Sequence, residues 1–161
     1  GGFMATADGI RLIEYNARLG DPECMNLLTL LEGDFEAAVL GMATGNFDPA
    51  TLSFRKQASV CKYLVPEGYP EKPKKLFPID LSAVPDCRDL YLGSVDEVEG
   101  QLLAAGSRTL AFVGSGDTLA EAEAAAEALA KKVPGPLFHR PDIGTQSLVQ
   151  QRIDLIKSLR K

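Results

Sequence analysis

The sequence predicts an α+β fold, and three observations carry that prediction. Two strand-like runs joined by a tight turn open the chain, and two helices with good caps follow them. The middle is rich in short strand candidates, and helices return only towards the end. A length of 161 residues suffices for one ordinary domain with a sizeable core or for two small ones. With 45% hydrophobic and 24% charged residues, the chain has the balance of a globular protein rather than of a disordered or membrane-spanning one.

Residues 3–6 and 10–18 read as strands joined through Asp8-Gly9, a turn pair that tolerates positive φ at both positions. Asp21 as N-cap, Pro22 in the first helical position and Glu23 in the first turn predict a helix to about Leu31. Its buried side would be Met25, Leu27, Leu28, Leu30 and Leu31. Asp34 is placed to cap a second helix, 35–44, and Gly45 to end it. Residues 46–54 read as a linker and 58–65 as a strand. Proline and glycine break 66–85 into loop with one short strand at most. A strand is expected over 90–95, and a hairpin over 101–105 and 108–113 through Gly106-Ser107. Residues 114–117 read as a turn. Thr118-Leu119-Ala120-Glu121 is a capping box for a helix to about Val133. The last helix, 146–159, offers Leu148, Ile153, Leu155, Ile156 and Leu159 for packing, and Lys157, Arg160 and Lys161 suit its negative pole.

Charge and composition exclude several classes. The formal net charge of −5 gives no overall positive field for nucleic acid. No apolar run approaches the ~20 residues of a membrane span. Cys24, Cys61 and Cys87 are odd in number and far apart, no Cys-x-x-Cys occurs, and His139 is the sole histidine. That pattern argues against a zinc site or a disulfide framework and suits a reducing cytoplasm. The chain opens on Gly1 with a strand almost at once. This predicts a missing upstream segment; a tag remnant before Met4 is the other reading.

The chemistry concentrates in 12–18. In a strand, Glu14, Asn16 and Arg18 share one face, and Ile13, Tyr15 and Ala17 share the apolar other. Carboxylate and amide oxygens are hard donors that suit Mg²⁺ or Mn²⁺ held with phosphates. A guanidinium can hold phosphate oxygens as they gain charge. Spacing alone favours an ordinary strand with a wet polar face. Four other features stand out, and two of them allow both a functional and a plain reading. Gly114-Ser115-Gly116 before a helix is a phosphate cradle or a turn. Lys62 and Arg140 are ribose-phosphate contacts or solvated charges. His139 shows no partner and reads as structural, and Glu121, Glu123 and Glu127 read as the solvated face of a helix.

Taken as a string, Glu14-Tyr15-Asn16-Ala17-Arg18-Leu19-Gly20-Asp21-Pro22-Glu23 resembles the Glu-x-Asn-x-Arg metal-binding strand of ATP-grasp ligases. Its Gly-Asp-Pro-Glu continuation is similar to the phosphoribosylamine–glycine ligase family. Biotin carboxylases share the first motif but continue differently. The resemblance goes on through Leu30-Leu31-Glu32-Gly33-Asp34, Gly68-Tyr69-Pro70, Gly116-Asp117-Thr118-Leu119 and Arg140-Pro141-Asp142-Ile143-Gly144; little matches in 80–113. It implies that 1–53 are the C-terminal part of an ATP-grasp core. Residues 54–145 would then be a small β-rich C-terminal domain of rudimentary hybrid-motif type, and 146–161 a tail helix.

The implied reaction joins glycine to 5-phosphoribosylamine with ATP hydrolysis, through glycyl phosphate, in purine biosynthesis. Carried over, Glu14 and Asn16 are metal ligands for Mg²⁺ or Mn²⁺, and Arg18 is the catalytic cation. Asp21 and Glu23 are candidate contacts for the glycine amino group. The implied partners are ATP, glycine and 5-phosphoribosylamine, with self-association through the exposed edge near Phe3. The lobe that grips ATP is not among these residues, so the chain alone is expected to be inactive. Two other readings are a non-catalytic binding module, which intact Glu14, Asn16 and Arg18 disfavour, and another ATP-grasp carboxylate–amine ligase, which Gly20-Asp21-Pro22-Glu23 disfavours.

Overall fold

The computed structural model describes residues 1–85 and 88–159; Cys87, Arg160 and Lys161 lie outside the described residues. Strands β1 (Gly2–Thr6) and β2 (Gly9–Glu14) form an isolated antiparallel hairpin. The turn is Ala7-Asp8, with Thr6 opposite Gly9, one residue earlier than predicted. Only Gly9 of the expected pair takes positive φ, at 116°. The larger departure is that β2 stops at Glu14 instead of reaching Arg18. Gly2, opposite Glu14, is the first residue of β1, so the ladder runs out there. The face expected in a core is bare, with Ile13 and Tyr15 exposed, Tyr15 by 76%, and so are Phe3, Met4, Ile10 and Leu12 elsewhere on the hairpin. A two-stranded ribbon has no second layer of its own to bury a face.

Helix α1 (Glu23–Leu30) follows, then α2 (Phe35–Thr44). Helix α2 keeps its predicted bounds: Asp34 accepts from Ala37 N at 2.8 Å, and Gly45 ends it at φ 75°. Of the five apolar residues expected inside α1, only Met25 is buried, while Leu27 and Leu28 are exposed. The stretch 46–54 contains one 3-10 turn, Pro49–Thr51.

Strands β3 (Ala58–Pro66), β5 (Leu90–Leu92), β8 (Leu110–Gly116) and β9 (Leu137–Phe138) make an antiparallel sheet ordered β5-β8-β3-β9. A second sheet holds β4 (Phe77–Pro78), β6 (Val95–Val98) and β7 (Gln101–Ala104), ordered β4-β7-β6. The predicted strand over 90–95 is thus split between sheets at Gly93-Ser94. The predicted hairpin through Gly106-Ser107 does not form. Strand β7 pairs with β6 instead, across Glu99-Gly100, where φ values of 51° and 78° give the type I′ geometry that matches strand twist. Gly106 and Ser107 lie where the chain passes from one sheet to the other, with Ser94 N donating to Arg108 O at 2.8 Å.

Helix α3 (Leu119–Ala130) covers one face of the four-stranded sheet. Its capping box is present as predicted: Thr118 and Glu121 each bond the other's backbone N–H. Ala122, Ala126 and Ala130 face the sheet and are buried. A Cβ at Gly114 would stand 2.1 Å from Ala122 O and 2.5 Å from Ala126 N. Gly114 and Gly116 are therefore strand residues that let the helix backbone approach, and not the turn or phosphate cradle their spacing suggested. Leu64, Ile79, Ala104, Leu110, Phe112, Ala130 and Val133 form the main core, which joins both sheets to the end of α3. On the other face Met25 packs with Ala111 and Val113, beside Cys61, Tyr63 and Tyr91. Helix α4 (Gln146–Leu159) has its predicted bounds but buries none of its described residues. Ile156 and Leu159 are half-buried beside Ala5 and Ile10, and Ile153 and Leu155 face water.

Candidate active site

Beyond Glu14 the chain runs without helix or strand to Pro22. This segment carries most of the candidate chemistry. Asn16 Nδ2 lies 3.5 Å from Glu14 Oε1, so those two side chains meet even though no strand alternation aligns them. Arg18 does not join the row: its Nη1 donates to Leu19 O at 2.8 Å, and the residue is exposed. Among the described residues no cluster of three His, Cys, Asp or Glu side chains could hold a metal unaided. Glu23 opens α1 with its carboxylate close against Gly20, where an added Cβ would meet Glu23 Oε2 at 2.6 Å.

Asp21 is not a helix cap. Pro22 holds the N-cap position, and no side chain caps the helix. The Asp21 carboxylate turns to the sheet instead. Its Oδ2 accepts from Arg108 Nη1 at 2.7 Å, and its Oδ1 accepts from the Tyr63 hydroxyl at 3.1 Å. The Arg108 guanidinium lies 5.8 Å from the centre of the Tyr63 ring, within cation–π range. Burial, and then the Asp21 carboxylate, push the Tyr63 hydroxyl up to about 12, so it stays a donor at neutral pH. Burial, then Asp21 and its neighbours, push the Cys61 thiol up to about 12 and keep it protonated and unreactive. Beside these groups a half-open cleft of about 390 Å³ is lined by Pro22, Tyr63, Tyr69, Arg108, Phe138 and His139, among others.

Lys62 reverses its expected reading. It points from β3 towards α3 between Val60 and Leu64 and is 1% exposed. Its Nζ donates to Glu123 Oε1 at 2.6 Å, Glu127 Oε2 at 2.5 Å and Pro141 O at 3.0 Å. Glu127 also meets His139 Nε2 at 3.0 Å and Lys131 Nζ at 3.1 Å. Of the predicted solvated acids, Glu123 and Glu127 are thus the counter-charge of a buried cation while Glu121 stays exposed, and His139 has the partner that the sequence did not show. Burial opposes the charge on Lys62, but the two carboxylates hold its pKa above the ordinary value. Arg140 is exposed and paired through two bonds with Asp142, at 3.0 and 2.6 Å.

Sequence reasoning missed Arg108 and Tyr63, because no local signal ties them to Asp21. Lys62 did have a signal: a lysine between two core residues at strand spacing has to be neutralised inside the fold.

The cluster has a consequence in acid. Burial alone would raise the Glu127 pKa, but hydrogen bonds from Lys62, Lys131 and His139 outweigh it and lower the value from 4.5 to about 2. A depressed carboxylate stabilises the fold above its unfolded pKa, and that contribution fades as pH falls through the folded one. Stability is expected to be whole above about pH 4.5 and to drop, by on the order of 3 kcal/mol from this group, as pH falls towards about 2. Urea titrations at pH 6 and pH 3 on the parent and Glu127→Gln check this, and an equal slope in the two proteins contradicts it.

The architecture is an antiparallel sheet with a helix on each face, joined to a segment rich in charged side chains beside a cleft. Among solved structures, the crystal structure of phosphoribosylamine–glycine ligase from Thermotoga maritima matches with a TM-score of 0.72 at 33% identity. The match covers 88% of this chain and 35% of that one. Phosphoribosylamine–glycine ligase of Methanoregula boonei is 51% identical over 159 residues, and that of Methanosarcina barkeri 43% identical over 160. Each match covers 99% of this chain and 37% of the relative, so the chain spans a little over a third of their length. Residues 59–146 match the model of the phosphoribosylglycinamide synthetase C domain, and the chain belongs to that family. Among the described residues no helix is long and apolar enough to cross a membrane.

Proposed function

We propose that this chain serves a ligase that joins glycine to 5-phosphoribosylamine at the expense of ATP, and that it supplies part of the metal and substrate site. The observation that carries this reading is the intact string from Glu14 to Glu23 in a chain whose relatives, along 99% of its length, are phosphoribosylamine–glycine ligases. In the proposed reaction a glycine carboxylate oxygen attacks the γ-phosphorus of ATP. An O–P bond forms, the bond to the bridging oxygen breaks, and ADP leaves. The amine of 5-phosphoribosylamine then attacks the carbonyl carbon of glycyl phosphate; the C–N bond forms, phosphate departs, and the amine gives up a proton.

The donor chemistry of Glu14 and Asn16 fits Mg²⁺ or Mn²⁺. They are neighbouring, exposed, hard-oxygen side chains, and one or two protein ligands suit Mg²⁺ where phosphates complete its shell. A bound metal ion would neutralise charge on the ATP phosphates during transfer. Arg18, free to swing from its contact with Leu19 O, would hold the transferring phosphoryl group or the glycine carboxylate. Asp21 and Glu23 offer carboxylates to the glycine ammonium group.

Phosphoryl transfer depends on positioning around the nucleotide, and two metal ligands alone do not grip ATP. The 161-residue chain alone is expected to show no glycine- and phosphoribosylamine-dependent ADP release and at most weak ATP–Mg²⁺ binding by titration calorimetry. It is expected to self-associate in light scattering through β1 and the bare apolar faces of the hairpin and α2, where Phe35, Val39, Leu40 and Met42 are exposed. A protein of the relatives' full length that carries this chain is expected to ligate. Absence of ligation there would overturn the proposed function, and micromolar ATP affinity with substrate-dependent turnover in the short chain would overturn its partial character.

A further inference from the structure

We propose that Arg108 and Tyr63 are positioning residues for ligation: they fix the Asp21 carboxylate, and with it the segment 15–22, against the four-stranded sheet at the mouth of the cleft. The inference rests on the reading given above of Asp21 and its neighbours as part of a ligase site.

Residues 15–22 carry Asn16, Arg18 and Asp21 and form neither helix nor strand in this chain. Among the described residues, three hydrogen bonds tie this segment to β3 and to the loop that leads into β8, and all three converge on Asp21. Arg108 Nη1 donates to Oδ2 at 2.7 Å and to the backbone oxygen of Asp21 at 3.3 Å, and Tyr63 donates to Oδ1 at 3.1 Å. Both partners are remote in sequence, 87 and 42 residues away. They are also mutually supported, since the guanidinium lies over the ring of Tyr63. One arginine that bonds the side chain and the main chain of the same residue fixes an orientation, and a lysine cannot copy that. The Arg108 and Asp21 side chains remain 43% and 39% exposed. Exposed ion pairs add little to stability. The arrangement is therefore suited to aiming a carboxylate that stays accessible, and Pro22, the next residue, lines the cleft itself.

The test uses a full-length ligase carrying this chain, as parent, Arg108→Leu, Arg108→Lys and Tyr63→Phe. Loss of aim at Asp21 is expected to raise KM for glycine at least tenfold in Arg108→Leu, with a smaller rise in KM for ATP because Asn16 and Arg18 lie on the same segment. Arg108→Lys is expected to recover only part of this, and Tyr63→Phe, which keeps the ring, to show a smaller rise. Amide hydrogen exchange supplies a second readout: residues 15–22 should exchange at least tenfold faster in Arg108→Leu, with β3 and β8 unchanged. A merely structural role would lower the folded fraction and move both KM values little or together. An active parent whose Arg108→Leu variant keeps its glycine KM within twofold, or whose exchange in 15–22 is unchanged, overturns this inference. A parent that does not ligate overturns the underlying function instead, and the exchange result still decides whether Arg108 holds the segment.

Discussion

Replacing Lys62 by methionine is expected to destabilise the chain by about 3 kcal/mol, the scale for removing one partner of a buried ion pair. Methionine fills the stem's space between Val60 and Leu64, so the loss is not one of packing volume. It strands Glu123 and Glu127, whose side chains are only 20% and 14% exposed, beside an apolar helix–sheet contact. Lys131 and His139 still reach Glu127, which caps the damage. The Pro141 carbonyl also loses its donor, so the strand–helix–loop junction around His139 loosens with it. Combining Lys62→Met with Glu123→Gln and Glu127→Gln should recover part of the loss, because no buried carboxylate is then left without its cation, and Lys131, which loses Glu127, is 69% exposed. Urea denaturation of the three proteins measures this. A loss under about 1 kcal/mol for Lys62→Met would mean that water reaches the carboxylates and the cluster is a surface feature.

The second large effect concerns activity. In a full-length ligase carrying this chain, Glu14→Ala is expected to remove at least ~10²–10³-fold of kcat at ordinary Mg²⁺, the scale for losing one preorganised electrostatic contact. The fold should survive, since Glu14 is exposed at the end of a ribbon and exposed substitutions away from special features usually change stability by less than about 0.5 kcal/mol. Circular dichroism and thermal melting check the fold, and ADP release checks the turnover. Near-parent turnover would remove Glu14 from the metal role. Asn16→Ala should follow Glu14→Ala in direction, because the two side chains meet.

What the sequence disclosed and what it hid follow a physical division. Helix α2 with Asp34 and Gly45, the capping box at Thr118 and Glu121, the bounds of α4 and the run of β3 are written in residues within a few positions of one another. Pairing is not. The Gly106-Ser107 turn is plausible locally, yet β7 takes β6 as its partner across Glu99-Gly100, and β8 is flanked by β3 and β5. The same holds at the site. The string from Glu14 to Glu23 exposes its chemistry in order, but the strand expected to reach Arg18 stops at Glu14, where the register with β1 reaches Gly2. The partners of Asp21 and Lys62 lie on other elements, where periodicity along one segment has no reach. Arg108 in particular stands in the stretch where the family resemblance faded.

The type I′ turn at Glu99-Gly100 also bears on how quickly the chain folds. Strands β3 and β8 must find each other across everything between Pro66 and Leu110, and such distant pairings set the pace of β-rich domains. A tight hairpin between β6 and β7 forms on the microsecond scale, well before that search ends. Once closed, it removes its own length from the loop that β3 and β8 have to shut. Each halving of a flexible loop saves only about 0.6 kcal/mol of closure entropy. That modest saving falls on the barrier to folding rather than on the finished structure. Two residues at an exposed turn, remote from the candidate chemistry, thereby help to time the assembly of the sheet that holds Asp21 in place.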